Sequence, residues 1–179
     1  MKGKVIFTET QMFRYTWSWW LVLLISVPMI GTLLFGYYNQ IVLGEPWGDN
    51  PIGDSALILT NLITILILLG IFLLFHFMKL QVEIDAGFIR YRFFPFVNSL
   101  RSISAEEVKK IYVRQYKPIW EYGGWGYRVR PGSGKAMNVK GNWGLQIEFS
   151  NGKKLLLGTQ KPNELETALN ELKVNWRMD

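Results

Sequence analysis

The sequence predicts an α+β protein: a hairpin of two membrane-spanning helices, then a β-sandwich or partly open barrel of about seven strands with a C-terminal helix. Three observations predict it. Two long apolar runs carry no Asp, Glu, Lys or Arg, and the segment between them has no basic residue. The periodicity of the chain changes to strand-like alternation directly after Met78. The last segment, from Pro162, keeps the spacing of an amphipathic helix.

The first run is Trp17–Tyr38 and the second Ala56–Met78, 22 and 23 residues long. A hydrocarbon core of ~30 Å needs ~20 helical residues to cross it. A helix satisfies all its backbone groups within the lipid, so both runs are expected to span as α-helices. The first is too long for the apolar region of a signal peptide, and no small-residue cleavage pattern follows it. Pro28 and Gly31 are expected to kink the first span, as both are common in membrane helices. Asn61 is the residue of interest in the second, because an amide in lipid seeks a partner on another helix. It is the candidate interhelical contact, joining the hairpin or a dimer. His76, the single histidine, is expected at the membrane interface beside Lys79.

Charge predicts the orientation. The joining segment 39–55 holds Glu45, Asp49 and Asp54, whereas all 20 basic residues lie elsewhere, 17 of them after Met78. Basic residues flanking spans stay in the cytoplasm. The expected organisation is therefore a cytoplasmic N-terminal segment at 1–16, a transmembrane hairpin at 17–78 with an acidic outer loop at 39–55, and a cytoplasmic domain at 79–179. Trp17, Trp19 and Trp20 at one end of the first span and Tyr37 and Tyr38 at the other match the interfacial preference of amphipathic rings. The absence of Cys removes lipoprotein acylation, disulfides and thiolate metal ligands.

The final 101 residues are enough for one small domain. Leu80, Val82 and Ile84 alternate with Gln81, Glu83 and Asp85 as in a strand. Asp85-Ala86-Gly87 gives a turn and Phe88–Phe94 the return strand. Leu100–Ile103 is a third short strand. Ser104 and Glu107 have capping-box spacing for a single helical turn. Val108–Lys117 is a strand stopped by Pro118. Gly123 and Gly124 mark a bend; after it Trp125, Tyr127 and Val129 share one face and Gly126, Arg128 and Arg130 the other. Residues 131–134 turn into a strand at 135–140. Trp143, Leu145, Ile147 and Phe149 alternate strictly, and Asn151-Gly152 is a strong hairpin signal before the return at Lys153–Leu157. Pro162 suits a first helical turn, and Leu165, Ala168, Leu169 and Leu172 form one apolar face.

Antiparallel strands closed by one C-terminal helix resemble the pleckstrin-homology (PH) superfold. Gly123-Gly124-Trp125-Gly126 with Arg128, residues 135–139, Gly141-Asn142-Trp143-Gly144 and residues 157–162 are similar to the pattern of bacterial PH-like domains carried by small membrane proteins. Residues 7–11 and 44–49 look like parts of an uncharacterised two-span group of this kind. The resemblance implies a multi-pass protein of the bacterial cytoplasmic (inner) membrane with both termini cytoplasmic. It carries no catalytic motif, and PH-like folds serve many roles.

The candidate partner or headgroup contacts are Arg128, Arg130, Lys135 and Lys140, which flank one hairpin in a domain with 17 basic against 10 acidic residues. A basic surface held at an anionic leaflet gains ~1 kcal/mol per nearby residue. The positive-inside bias accounts for the same charge without a specific pocket. Pro131-Gly132-Ser133-Gly134-Lys135 resembles a phosphate loop only superficially: Val129 and Ala136 stand where Gly and Ser/Thr are required, so a hairpin turn is expected. Interleaved Tyr112, Arg114, Tyr116 and Lys117 form no nucleic-acid motif, and no nucleic-acid partner is expected. Trp120, Trp125 and Trp143 are read as core or interface aromatics.

No catalytic residue, metal ligand or cofactor is assigned. The expected function is a membrane-anchored binding or scaffold module, not an enzyme, with membrane lipids, an unidentified protein or a second copy of itself as partner. The alternative is an integral-membrane enzyme or small transport accessory subunit acting as an oligomer. A pocket in which Glu121 and Glu148 face each other would favour that alternative.

Overall fold

A computed structural model describes residues 5–176. Its contacts divide the chain into two compact units: residues 14–76, and the two flanking segments on either side of them.

The unit at 14–76 is a pair of apolar helices. Helix α1 spans Trp17–Tyr37 and α2 spans Asp54–Phe77. Their 21 and 24 residues give about 31 and 36 Å at ~1.5 Å per residue. Both are long and apolar enough to cross a bilayer, and only 11% of the most apolar window of each is buried. The helical run does not end at Tyr38 as its composition predicts. It continues as a wider turn through Leu43 and stops at Gly44, whose φ is 75°.

The following loop folds back onto that turn. The Gln40 side-chain amide donates to Ile52 O at 2.6 Å and to Asp54 Oδ1 at 2.9 Å. The Trp47 indole lies against Gly36, where a Cβ would come within 2.6 Å of the ring. Asn61 sits in α2 and donates from Nδ2 to Leu33 O of α1 at 3.0 Å. His76 stacks on Phe72 and lies near Trp19, both within this helical pair.

The other unit is built of two sheets and a helix. The first sheet runs β1-β2-β3-β4, with β1 at Val5–Met12, β2 at Lys79–Asp85, β3 at Ile89–Phe94 and β4 at Val97–Ile103, all antiparallel. The Asp85 carboxylate builds the β2–β3 turn, accepting from the backbone N–H groups of Gly87 and Phe88 and pairing with Arg90 at 2.6 Å. The second sheet runs β5-β8-β9-β7-β6. Its strands are β5 (Val108–Gln115), β6 (Gly126–Arg130), β7 (Gly134–Asn138), β8 (Trp143–Phe149) and β9 (Lys154–Thr159). Every pairing in it is antiparallel except β7 with β9.

Ser104 and Glu107 close a capping box around one short helical turn. Pro118 ends the β5 segment by starting a five-residue helix, α3 (Pro118–Tyr122). Helix α4 (Pro162–Trp176) buries Leu165, Ala168, Leu169 and Leu172, the face its spacing predicts, and lies on β1 and β2 of one sheet and β5 and β8 of the other. Leu80, Ile84, Ile89, Phe93, Leu145 and Ile147 are fully buried in the core.

The structure corrects the expected organisation in two ways. Nine strands form among the described residues rather than about seven, arranged as two open sheets. The segment before the first span is not a separate tail: β1 pairs with β2 from Val5↔Asp85 to Met12↔Lys79. The helical pair is thus an insertion within a β-hairpin, and Phe13 N still donates to Met78 O at 3.1 Å where the two strands end. Strand β1 gave no alternation signal because its buried face is Phe7, Glu9 and Gln11, two of them polar.

Those two polar side chains join the sheets. Glu9 accepts from Thr159 Oγ1 at 2.6 Å and from Gln160 N at 2.9 Å, and Gln11 donates to Gly158 O at 2.7 Å. Charge-assisted bonds to a buried carboxylate are worth more than neutral ones, and leaving their partners unpaired costs about 1–3 kcal/mol. Glu9→Ala is therefore expected to lower the stability of the full chain by about that amount, read as a lower melting temperature. Glu166→Ala, at an exposed position of α4, should leave the melting temperature unchanged.

Candidate functional site

The second sheet presents chemistry on both faces. Alternation sends Tyr112, Arg114, Tyr116, Gln146, Glu148 and Leu156 to one face, and Ile111, Leu145, Ile147, Leu155 and Leu157 to the other. The first face is covered by α3 and its neighbours, where Tyr116, Tyr122, Ala136 and Leu156 form a buried cluster. The second face belongs to the core.

On the first face lies a polar cavity of about 320 Å³ lined by Tyr112, Arg114, Glu121, Tyr122, Gln146 and Glu148 among others. Arg114 is its hub. Its guanidinium donates to Glu121 Oε2 at 2.7 Å, to Gln146 Oε1 at 3.1 Å and to Gln115 O at 3.3 Å. Glu121 also accepts from Lys117 N at 2.7 Å. Burial pushes the Glu121 carboxyl up, but the Arg114 hydrogen bond and the Lys117 N–H outweigh it and hold its pKa below the ordinary 4.5. Glu148 accepts from the Tyr112 hydroxyl at 3.0 Å.

Glu121 and Glu148 thus share one cavity, each already engaged by its own partner. Deeper in the same face, Asn138 donates to the Tyr116 hydroxyl at 2.8 Å and accepts from Gly126 N at 2.8 Å. Burial pushes the Tyr116 phenol up to about 12. This group of side chains is a hydrogen-bonded network that fixes α3 on the sheet.

A second cavity, of about 430 Å³, opens at the end of the sheet where the β6–β7 and β8–β9 turns come together. Arg130, Lys135, Lys153 and Lys154 stand around it, and its apolar wall is Tyr91, Val129, Phe149 and Leu155. Among the described residues no Asp or Glu lines it. The two turns meet because β7 pairs in parallel with β9, setting Lys135 opposite Leu155. Gly134 is required there: its φ is 85° and a Cβ would lie 2.4 Å from the Lys154 carbonyl oxygen.

The four basic candidates of the hairpin are not one patch. Arg130 and Lys135 line the cavity. Arg128 turns back to donate to Trp125 O at 3.0 Å. Lys140 follows the far end of β7, which runs from Gly134 to Asn138, and is exposed there. Arg130 also donates to the Trp120 carbonyl. The 131–135 segment is the β6–β7 turn, as its failed phosphate-loop spacing indicates. Trp120, read as a core or interface aromatic, is 78% exposed on α3, whereas Trp125 Nε1 donates to Gly141 O at 2.9 Å.

Sequence reasoning missed Lys153, Lys154 and Tyr91 as members of this site. Asn151-Gly152 announced the turn that carries the two lysines, but only the parallel β7–β9 pairing brings them to Arg130 and Lys135. Among the described residues no group of three or more His, Cys, Asp or Glu side chains gathers to hold a metal ion. Comparison with protein-family models and with curated proteins finds no match for the chain.

The depressed pKa of Glu121 has a defined sign. Its pairing stabilises the fold fully above 4.5 and is lost as pH falls through the lower folded value. The melting temperature should therefore fall as pH drops below 4.5, and Glu121→Gln should flatten that decline. Thermal melts of both proteins across this range check it.

Proposed function

We infer that the chain is a membrane-anchored binding module. Its helical pair spans the bacterial cytoplasmic membrane, and its two-sheet unit, PH-like in architecture, is presented at the inner leaflet to a protein or lipid partner. The observation that carries this reading is the insertion of two apolar helices inside the β1–β2 hairpin. Only residues 13–16 separate β1 from α1, and only Met78 separates α2 from β2. A binding unit tied to its anchor at both ends works at the membrane surface.

The apolar windows of both helices, 11% buried, leave hydrocarbon for lipid to cover. The segment between them holds Glu45, Asp49 and Asp54 and no basic residue, which by the positive-inside rule supports an outer position for it and an inner one for the β unit. Mostly antiparallel sheets with one amphipathic C-terminal helix support the PH-like comparison. The contact surface is the basic end of the second sheet, where Arg130 and Lys135 meet Lys153 and Lys154.

The alternative, an oligomeric membrane enzyme or transport accessory, is favoured by Glu121 and Glu148 lining one cavity. Acid–base work needs two groups whose environments push their pKa values apart around the working pH. Glu121 is instead held ionised by Arg114, which suits a structural ion pair better.

The chain has no cysteine, so single substitutions report sidedness cleanly. Asp49→Cys in intact cells is expected to react with a membrane-impermeant maleimide. Glu166→Cys should react only after the membrane is permeabilised. Labelling of Glu166→Cys in intact cells would overturn the placement.

A further inference from the structure

We propose that the cavity ringed by Arg130, Lys135, Lys153 and Lys154 is a binding site for a phosphate-bearing amphiphile, its anionic head among the four cations and its apolar part along the Val129, Phe149 and Leu155 wall.

The first argument is charge. Four basic side chains at two turns border one opening, and among the described residues no carboxylate lines it. Among the described residues none of the four forms an ion pair with Asp or Glu; the pairs formed are those of Arg90, Arg114 and Lys161. The nearby carboxylates, Glu121 and Glu148, line the neighbouring polar cavity, which Lys154 also borders from its place opposite Glu148 in the ladder, so Arg130, Lys135 and Lys153 are the three cations that border only the carboxylate-free cavity. Like charges gathered without counter-charges raise the local potential and favour an anion.

The second argument is the wall. Behind the cations the lining is aromatic and aliphatic, which a small hydrophilic anion would leave in contact with water. A cavity of about 430 Å³ lies within the range of small-ligand sites, and such sites combine an apolar lining with a few placed polar groups. A ligand with an anionic head and an apolar portion uses both features.

The third argument is that the geometry is fixed. Parallel pairing of Lys135, Ala136 and Met137 with Leu155, Leu156 and Leu157 locks the two turns together. The close approach of Gly134 to the Lys154 backbone leaves no slack between them. Glycine at 132, 134 and 152 also keeps side chains away from the rim.

This inference deepens the membrane-module reading and rests on it for the source of the ligand, a lipid bilayer. Its test uses purified protein in detergent, where sidedness plays no part, so its failure is separable from a failure of the cysteine mapping. The full chain in a non-ionic detergent is titrated with dioctanoyl phosphatidic acid and the bound lipid counted by native mass spectrometry. Dioctanoyl phosphatidylcholine supplies the same chains without net charge, and glycerol 3-phosphate supplies the head alone.

Phosphatidic acid is expected to fill one saturable site, with both comparators at least about tenfold weaker. Lys153→Gln with Lys154→Gln should weaken it about tenfold or more. Val129→Trp, which fills the opening and keeps the charge, should weaken it as well. Lys109→Gln with Lys110→Gln removes equal charge from exposed positions of β5 and should change nothing. Equal binding of phosphatidylcholine, equal binding of glycerol 3-phosphate, an equal loss in the β5 pair, or undiminished binding in both cavity variants would overturn the proposal. If Val129→Trp fails to fold, the lysine pair decides alone.

Discussion

Pairing between β1 and β2 is the constraint on which the rest of the structure depends. The chain leaves the sheet at Met12 and re-enters it at Lys79, and these residues face each other across the ladder. Everything between them is a helical insertion whose two ends must meet at one pair of strand termini. The same strand carries Glu9 and Gln11, whose side chains reach Thr159, Gln160 and Gly158 at the end of β9. Burying a carboxylate and an amide is costly unless their hydrogen bonds are made. Here they are made to the other sheet, so the polar interior of β1 specifies how the two sheets are joined.

The second sheet separates two kinds of chemistry by alternation. One face collects Arg114, Glu121, Tyr112 and Glu148 in ionic and hydrogen-bonded pairs, which hold α3 in place. The end of the sheet, where the β6–β7 and β8–β9 turns meet, collects cations around an apolar wall. Charges that are already paired have little left to offer a ligand, whereas unpaired ones at the mouth of a cavity do. This contrast, more than the net charge of the chain, directs attention to the β6–β7 and β8–β9 turns.

Much of the second sheet was readable because its residues obey local rules. The strict alternation of Trp143–Phe149, the Asn151-Gly152 turn and the leucine face of α4 each follow from neighbours within a few positions. The apolar runs were readable for the same reason, since length and composition alone decide whether a helix is able to cross a bilayer. Asn61 stood out as a lone amide in such a run, and its bond to Leu33 O is the kind of contact an amide makes there. The wider turn through Leu43 left no mark, because Gln40 is polar for the sake of Ile52 O and Asp54, beyond any local period.

By itself, then, the sequence determined two apolar helices, a β-rich unit, its turns and its amphipathic last helix, because periodicity and turn chemistry are short-range properties. Tertiary structure alone decided that Val5–Met12 belongs to the β unit, that α3 is tied down by Arg114, and that Lys153 and Lys154 stand beside Arg130 and Lys135. Each of these depends on strands far apart in the chain choosing each other. That choice is made by the complementary packing and hydrogen bonding of whole faces, which no short window of residues contains.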